Sequence, residues 1–474
     1  MKVYLINMPF YEQEYTKFTE KWKYIEDEYV GISIVETILE SNSCEVVVNH
    51  ENSILGMIER INQVLPDVVM ISVMQTSARL TFEFVYQLRS TSFGGKVFIG
   101  GWFAKMAWRQ IFSNNWPVDY VCYTDAEECL KDWIEDVNGN YMGIATYENF
   151  KEQDDAFKNS DTRKRCGWPS NYVKAKRIAG RHTYSIETSR GCPHSRCTFC
   201  SQSCGNWVRN KWQPLSLDKV KDQIIELNTL YGTTRFATSD DDLLGPVEFA
   251  EKRSMEIKKV IKELPFAITF SAAISVRAAT NGTILDNLLD AGLDQLCIGF
   301  ESADEDQLKR YCKQQSIEEN YIAADKITSR NINMLPGLIT FDPFATRDTV
   351  KKNLKFLFDV LHHYDLGKLT KRLHILTGSP MARLVEKEGL LTGDYLYYDY
   401  KFKDTEVEQL YWDFQKYTHM VKELQKQVNR LGREFDRTIG IHHRNVAESI
   451  ISGGEWQSFA NSEIFEIRKK IGDV

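Results

Sequence analysis

Four of the ten cysteines crowd into ETSRGCPHSRCTFCSQSC (187–204), while Cys44, Cys122, Cys129, Cys166, Cys297 and Cys312 lie far apart along the 474 residues. Cys192, Cys197 and Cys200 are spaced C-x4-C-x2-C. Thiolates are the ligands that iron-sulfur clusters prefer, and the close pair Cys197/Cys200 can reach two irons of one cube from a single tight turn. Three cysteines leave one iron of a [4Fe-4S] cluster open to a further ligand. The same spacing also permits a zinc site completed by His194 or Cys204. A fourth thiolate would close the open iron, so on the cluster reading Cys204 is a free residue. The scatter of the remaining cysteines reads as free thiols, not a disulfide framework.

The elements that must position this loop follow from hydrophobic periodicity. VYLIN (3–7), EVVVN (45–49), DVVMISV (67–73), KVFIGG (96–101) and VDYVCYT (118–124) are short apolar runs alternating with amphipathic helical stretches. That alternation predicts a parallel sheet with helices on both faces, a Rossmann-like or flavodoxin-like domain over 1–146. Residues 147–180 turn charged and polar and read as a linker. A second series follows over 181–391: TYSIET (183–188), RFATSD (235–240), FAITFSA (266–272), QLCIGFES (295–302), NMLPGLITFD (333–342) and KRLHIL (371–376). Six strands with their crossovers fit a partial or complete β/α barrel, and the cysteine loop leaves its first strand, where barrel chemistry sits. From 392 to 474 the pattern is helical, with a long amphipathic segment from Tyr411 to Phe435 expected to dock over the barrel. The fold class is thus α/β throughout, with a helical C-terminal region.

Composition narrows the partners. Hydrophobic residues at 43% and charged residues at 26% describe a chain that folds. With 59 basic and 66 acidic residues the net charge is -7, so the global field repels phosphate polymers and anionic surfaces, and nucleic acid is not an expected partner. No stretch approaches the roughly 20 apolar residues of a bilayer span. Met1 opens directly into KVYLINMPF, without a basic leader, and the cytosol is the expected compartment.

RGCPHSRCTFC resembles the cluster motif of the radical S-adenosylmethionine (SAM) superfamily, including the aromatic Phe199 before the last cysteine, with one residue more between the first two cysteines than the usual C-x3-C-x2-C. The resemblance continues, in order, through SDDDLL (239–244), IGFESADEDQLKRYCK (298–313), LITFDPFATRDTVKKNLKFL (338–357) and HILTGSPMARLVEKEGLL (374–391). It implies that SAM chelates the open iron, and that one electron, delivered by an external carrier such as flavodoxin or ferredoxin, cleaves it to methionine and a 5′-deoxyadenosyl radical. The residues implied at SAM are Phe199 against the adenine, Asp240 and Asp241 for the ammonium, Arg277 for the carboxylate, and Glu301 with Ser302 for the ribose. The run Asp240–Asp242 reads equally as a turn or helix cap, and Arg277 can pair with a surface acid. Trp207 and Trp212, flanking Arg209 and Lys211, frame a pocket or pack as core and rim.

The N-terminal segments resemble the cobalamin-binding domain fused to many radical SAM enzymes. On that resemblance cobalamin lies at the carboxyl ends of the strands, against Met8 and Pro9, Thr76, Gly100, Gly101 and Trp102, and Glu127. No histidine precedes His50, so the D-x-H-x-x-G segment is missing and the cobalt is expected to be held without a protein imidazole. The bulky Trp102-Phe103 pair can alternatively fill the corrin site and leave the domain empty. The implied function is methyl transfer to an unactivated carbon of a small-molecule or peptide substrate. The alternatives are a dehydration, epimerisation or rearrangement without methyl transfer, and, from another class, an iron-sulfur or zinc-stabilised protein without catalysis. No residue is assigned a catalytic role beyond the cofactors.

Overall fold

The computed structural model describes residues 1–8, 30–159, 183–204, 212–431 and 433–471. Pro9, Trp207, Arg209 and Lys211 lie outside the described residues. The first sheet contains β1 (Lys2–Asn7), β2 (Glu45–Val48), β3 (Val68–Ser72), β4 (Lys96–Gly100), β5 (Tyr120–Cys122) and β6 (Ile144–Ala145), in the order β2-β1-β3-β4-β5-β6. The first five run parallel; β1, β3, β4 and β5 are largely buried beneath crossover helices, while the edge strand β2 is only half-buried. The order 2-1-3-4-5 is the flavodoxin-like one. β6 adds an antiparallel edge that its two-residue length concealed in the sequence.

The expected linker starts later than residue 147. Helix Phe150–Asn159 packs back on the first sheet, with Gln153 accepting from the Tyr123 hydroxyl and Asp154 pairing with Arg109.

The second unit contains β7 (Tyr184–Ile186), β8 (Ser189–Arg190), β9 (Gln213–Pro214), β10 (Arg235–Thr238), β11 (Thr269–Ile274), β12 (Leu293–Glu301) and β13 (Asn333–Leu338). Five of these form a parallel sheet in the order β13-β12-β11-β10-β7, a partial barrel, while β8 and β9 pair antiparallel beside the cysteine loop. KRLHIL, the expected sixth strand, makes only a single parallel bridge, Phe341 to Arg372. Side chains hold it in place of a ladder: the Arg372 guanidinium stands over the rings of Tyr400 (4.2 Å), Phe402 and Tyr411 (both 5.1 Å) and pairs with Asp399 at 2.9 Å.

The hairpin of β14 (Leu391–Asp394) and β15 (Tyr397–Tyr400) joins the two units. At its turn, the Leu396 carbonyl accepts from Gln75 Nε2 at 2.9 Å, the Tyr395 hydroxyl accepts from Trp116 Nε1, and Asp394 pairs with Arg79 at 2.8 Å. The carboxyl ends of the first sheet are thereby fixed to the second unit.

The C-terminal region is three helices, Thr405–Leu431, Arg433–Ser452 and Trp456–Ile471. Val407, Tyr411, Phe414 and Val446 extend the barrel core into it. A polar link crosses the first two helices: the Tyr417 hydroxyl bonds His443 Nδ1 at 2.6 Å and His443 Nε2 bonds Gln425 Oε1 at 2.9 Å. A hydroxyl donor on one nitrogen and an amide oxygen on the other suit a neutral ring. Burial, assisted by neighbouring His442, pushes the His443 pKa down to about 3 from 6.5. A group depressed on folding contributes stability above its unfolded pKa that is lost as pH falls, here over pH 6.5 to 3. At about 1.36 kcal/mol per pH unit, stability should fall by about 2 kcal/mol between pH 6.5 and 5. In His443→Asn this share of the acid sensitivity should vanish, read as the difference between the two proteins in thermal unfolding followed by circular dichroism; identical pH profiles would refute the assignment.

Candidate active site

Cys192, Cys197 and Cys200 line one cavity of about 750 Å³ at the carboxyl ends of the barrel strands, together with Phe199, Asp241, Arg277 and Glu301. The turn that carries them is stitched to the segment after β12. The Thr198 amide donates to the Tyr311 carbonyl (3.0 Å), its hydroxyl to the Arg310 carbonyl (2.9 Å), and His194 Nε2 to the Cys312 carbonyl (2.6 Å). The Tyr311 ring meets Phe199 edge-on at 5.0 Å. From the other side the Met381 amide donates to the Thr198 carbonyl (2.9 Å), and the Ser203 hydroxyl donates to the Cys200 carbonyl (2.8 Å).

The start of the loop is held by buried acids. Asp240 Oδ1 accepts the amides of Thr188 and Ser189, each at 2.9 Å, and its second oxygen accepts the Thr188 hydroxyl. Burial raises the Asp240 pKa to about 7 and these bonds oppose the rise. Asp242 caps the next turn through the amides of Leu244 (3.0 Å) and Gly245 (2.9 Å). Arg190 bridges Glu187 (2.6 Å) and Glu127 (2.8 Å), tying the loop to the first domain.

The residues singled out in the sequence therefore divide. Asp241 faces the cavity, held by Gln202 Nε2 at 2.6 Å, and burial raises its pKa. Glu301 also faces it, paired with Lys313 at 3.2 Å. Arg277 lines the cavity and pairs with Glu319 at 3.4 Å. Asp240 does not line it, because one carboxylate oxygen serves the loop backbone and the other the Thr188 hydroxyl. Nor does Ser302, which is fully buried and donates to Asn353 Oδ1 at 3.0 Å. Trp212 donates to the Asp242 carbonyl at 2.7 Å beneath Arg253. Cys204 is buried with its thiol on the Cys200 carbonyl at 3.4 Å, Cys297 lines the cavity and Cys312 is exposed.

Sequence reading missed Lys313, Lys368 and Gln202. Lys313 follows the helix after β12 and reaches back to Glu301 only because that residue adopts φ 61° at a register shift between β12 and β13. A Cβ on Gly299 would lie 2.4 Å from Glu301 Oε1, so the glycine makes room for the carboxylate. The GFE triplet was the signal available.

At the first domain Gly101 has φ 91°, and a Cβ there would lie 2.7 Å from the Val73 amide nitrogen. Phe103 is buried in the core beside Trp116 (6.1 Å), whereas Trp102 is half-buried with Lys105 over its ring at 5.1 Å. Met8 is buried, Thr76 exposed, Gly100 half-buried and Glu127 committed to Arg190.

Residues 186–357 match the model of the Radical SAM superfamily. The barrel is a radical SAM domain. The match spans 172 of the 474 residues, and a radical SAM fold implies a [4Fe-4S] cluster and SAM. The donor chemistry fits, since three thiols line a single cavity, although among the described residues no three ligating side chains are already gathered around one metal position; burial drives the Cys197 pKa up to about 12, so loading must displace protons. Among curated proteins the chain is 26% identical over 348 residues to 4′-phospho-dehydrooxetanocin synthase of Priestia megaterium, covering 64% of this chain and 45% of the relative. It is 27% identical over 134 residues to cytidylyl-2-hydroxyethylphosphonate methyltransferase of Streptomyces wedmorensis, covering 28% and 24%. The chain thus spans under half the length of either relative. Among solved structures, the cobalamin-dependent radical SAM enzyme OxsB with aqua-cobalamin bound superposes with a TM-score of 0.70 at 20% identity, over 95% of this chain and 72% of that one. The radical SAM methyltransferase TsrM of Kitasatospora setae, with tryptophan and a SAM analogue, gives 0.60 at 16%, over 83% and 77%. Both share the architecture of a flavodoxin-like sheet preceding the radical SAM domain. Among the described residues no helix is long and apolar enough to cross a membrane.

Proposed function

We propose that this chain is a cobalamin-dependent radical SAM enzyme that modifies an unactivated carbon of a small molecule by methyl transfer. The observation that carries the radical SAM part is the single cavity shared by Cys192, Cys197 and Cys200 with Asp241 and Glu301. The chemistry supplied there, with cluster and SAM bound, is one-electron reductive cleavage of SAM. The three cysteines would hold the cluster. Asp241, steadied by Gln202, suits the SAM ammonium, and Glu301, steadied by Lys313, suits the ribose hydroxyls. Ala273, Ile274, Ile298, Leu335 and Pro336 give the cavity apolar walls, which exclude water from a reactive centre.

Support for cobalamin comes from the first sheet. Its carboxyl ends are fixed to the second unit by the 391–400 hairpin, Gly101 keeps the backbone close to Val73, and Phe103 is withdrawn into the core instead of standing over the strand ends. Trp102 is left as the aromatic at that edge. Reaction without methyl transfer is the second reading, favoured because the longer curated match is to a synthase.

Anaerobic reconstitution with iron, sulfide and hydroxocobalamin, gel filtration, and turnover with methyl-labelled SAM separate these. Retained corrinoid and label in the product support methyl transfer. SAM cleavage without label selects the second reading, and a protein that binds no iron refutes both.

A further inference from the structure

A closed barrel fills its interior with layers of branched side chains. Here the cavity wall instead carries Ala273, Ser275, Cys297, Gly299 and Gly337, so space remains below the cluster loop. The two ends of that space differ in charge. Asp241 and the three thiols mark the upper end. Cys297 lies four residues before Glu301 on β12, roughly 13 Å lower at about 3.3 Å per residue, and Lys368 joins it in lining the cavity.

The cations around this space are not equivalent. Lys313 is committed to Glu301 at 3.2 Å and Arg277 to Glu319 at 3.4 Å. Among the described residues the Lys368 ammonium has no side-chain hydrogen bond or ion pair, while the short turn Leu366–Lys368 that presents it is fixed by the Thr340 hydroxyl on the Lys368 carbonyl. Burial lowers its pKa, outweighing the opposing pull of Asp365 and Glu301, neither of which is paired with it. Such a group is costly unless something pairs with it.

We propose that Lys368 receives an anionic group of the substrate, a phosphate or a carboxylate, so that the cavity selects small anionic molecules and points their opposite end toward the cluster loop. This rests on the cavity being the radical SAM site. An oxyanion on Lys368 would give the ammonium the direct pairing it lacks, through a charge-assisted hydrogen bond, and the acids at the upper end would repel the same group, which fixes the orientation.

The test uses the anaerobically reconstituted full chain with SAM bound, titrated calorimetrically with inorganic phosphate and, separately, with acetate. At least one anion should bind, and which one assigns the class. K368M should weaken that binding about tenfold or more, K368R should retain it within about threefold, and SAM affinity and visible absorption should match the parent in both. Failure of both anions to bind the parent, or equal binding to parent and K368M, overturns the proposal. Loss of SAM binding together with the anion in K368M also overturns it, by giving the lysine to SAM. If the parent itself holds no iron or SAM, the radical SAM reading fails instead, and the same titrations without SAM still decide whether Lys368 binds anions.

Discussion

Alanine at Cys192, Cys197 or Cys200 is expected to abolish the broad visible absorption of the anaerobically reconstituted protein and its SAM cleavage, while Cys204→Ala keeps both. The four thiols are close in sequence, and the distinction is structural. The first three line the cavity. Cys204 does not: it is fully buried, its thiol donates to the Cys200 carbonyl at 3.4 Å, and burial raises its pKa to about 12. Burial raises the Cys197 thiol as far, so protonation does not separate the two; a cluster needs room for iron beside the sulfur, and Cys204, outside the cavity lining, has none. Removing that thiol deletes one weak hydrogen bond, so iron content should hold and stability should drop by no more than about 1 kcal/mol. Metal analysis and absorption spectra of the four variants decide the matter. A zinc site completed by Cys204 would show the reverse, with stoichiometric zinc in the parent and metal loss in Cys204→Ala.

What could be read from the sequence depended on whether the signal was local. The cysteine spacing, the apolar runs of β1, β3 and β4, and the helix after residue 404 are each contained within a few dozen residues, so periodicity and motif located them. Asp240 shows the limit. Its place after a barrel strand suggests a ligand contact, but its two oxygens are consumed by Thr188 and Ser189, residues more than fifty positions earlier, and only the fold brings these together. Lys368 was silent for the same reason, since nothing in LGKLT separates a surface lysine from one lining a cavity. KRLHIL has the composition of a strand yet stays a single bridge, with Arg372 set against the rings of Tyr400, Phe402 and Tyr411, contacts that its own sequence does not show.

The second large effect is expected outside the cavity lining, at Asp342. This carboxylate is completely buried and accepts from Tyr311 Oη (2.9 Å), Gln307 Nε2 (3.0 Å), Arg310 Nη2 (3.1 Å) and the Phe344 amide (2.7 Å). The carbonyls of Arg310, Tyr311 and Cys312 are the ones that grip the cluster loop through Thr198 and His194. Asp342 is therefore a positioning residue: it fixes the segment that fixes the cysteines. Asp342→Leu keeps the approximate shape but leaves Arg310 with a charge and no carboxylate. Removing one partner of a buried pair costs about 3–5 kcal/mol, and the 20% exposure of Arg310 argues for about 3, or roughly 3–5 °C in midpoint for a unit of this size. Iron should then be lost to a chelator faster than from the parent even where the variant is fully folded, a readout that a purely structural role would leave unmoved. Asp342→Leu combined with Arg310→Leu should recover part of the stability, since the stranded charge is gone, without restoring iron retention, since the Tyr311 hydroxyl still lacks its acceptor. Equal chelation rates in the parent and Asp342→Leu would show that the loop holds its shape without this network.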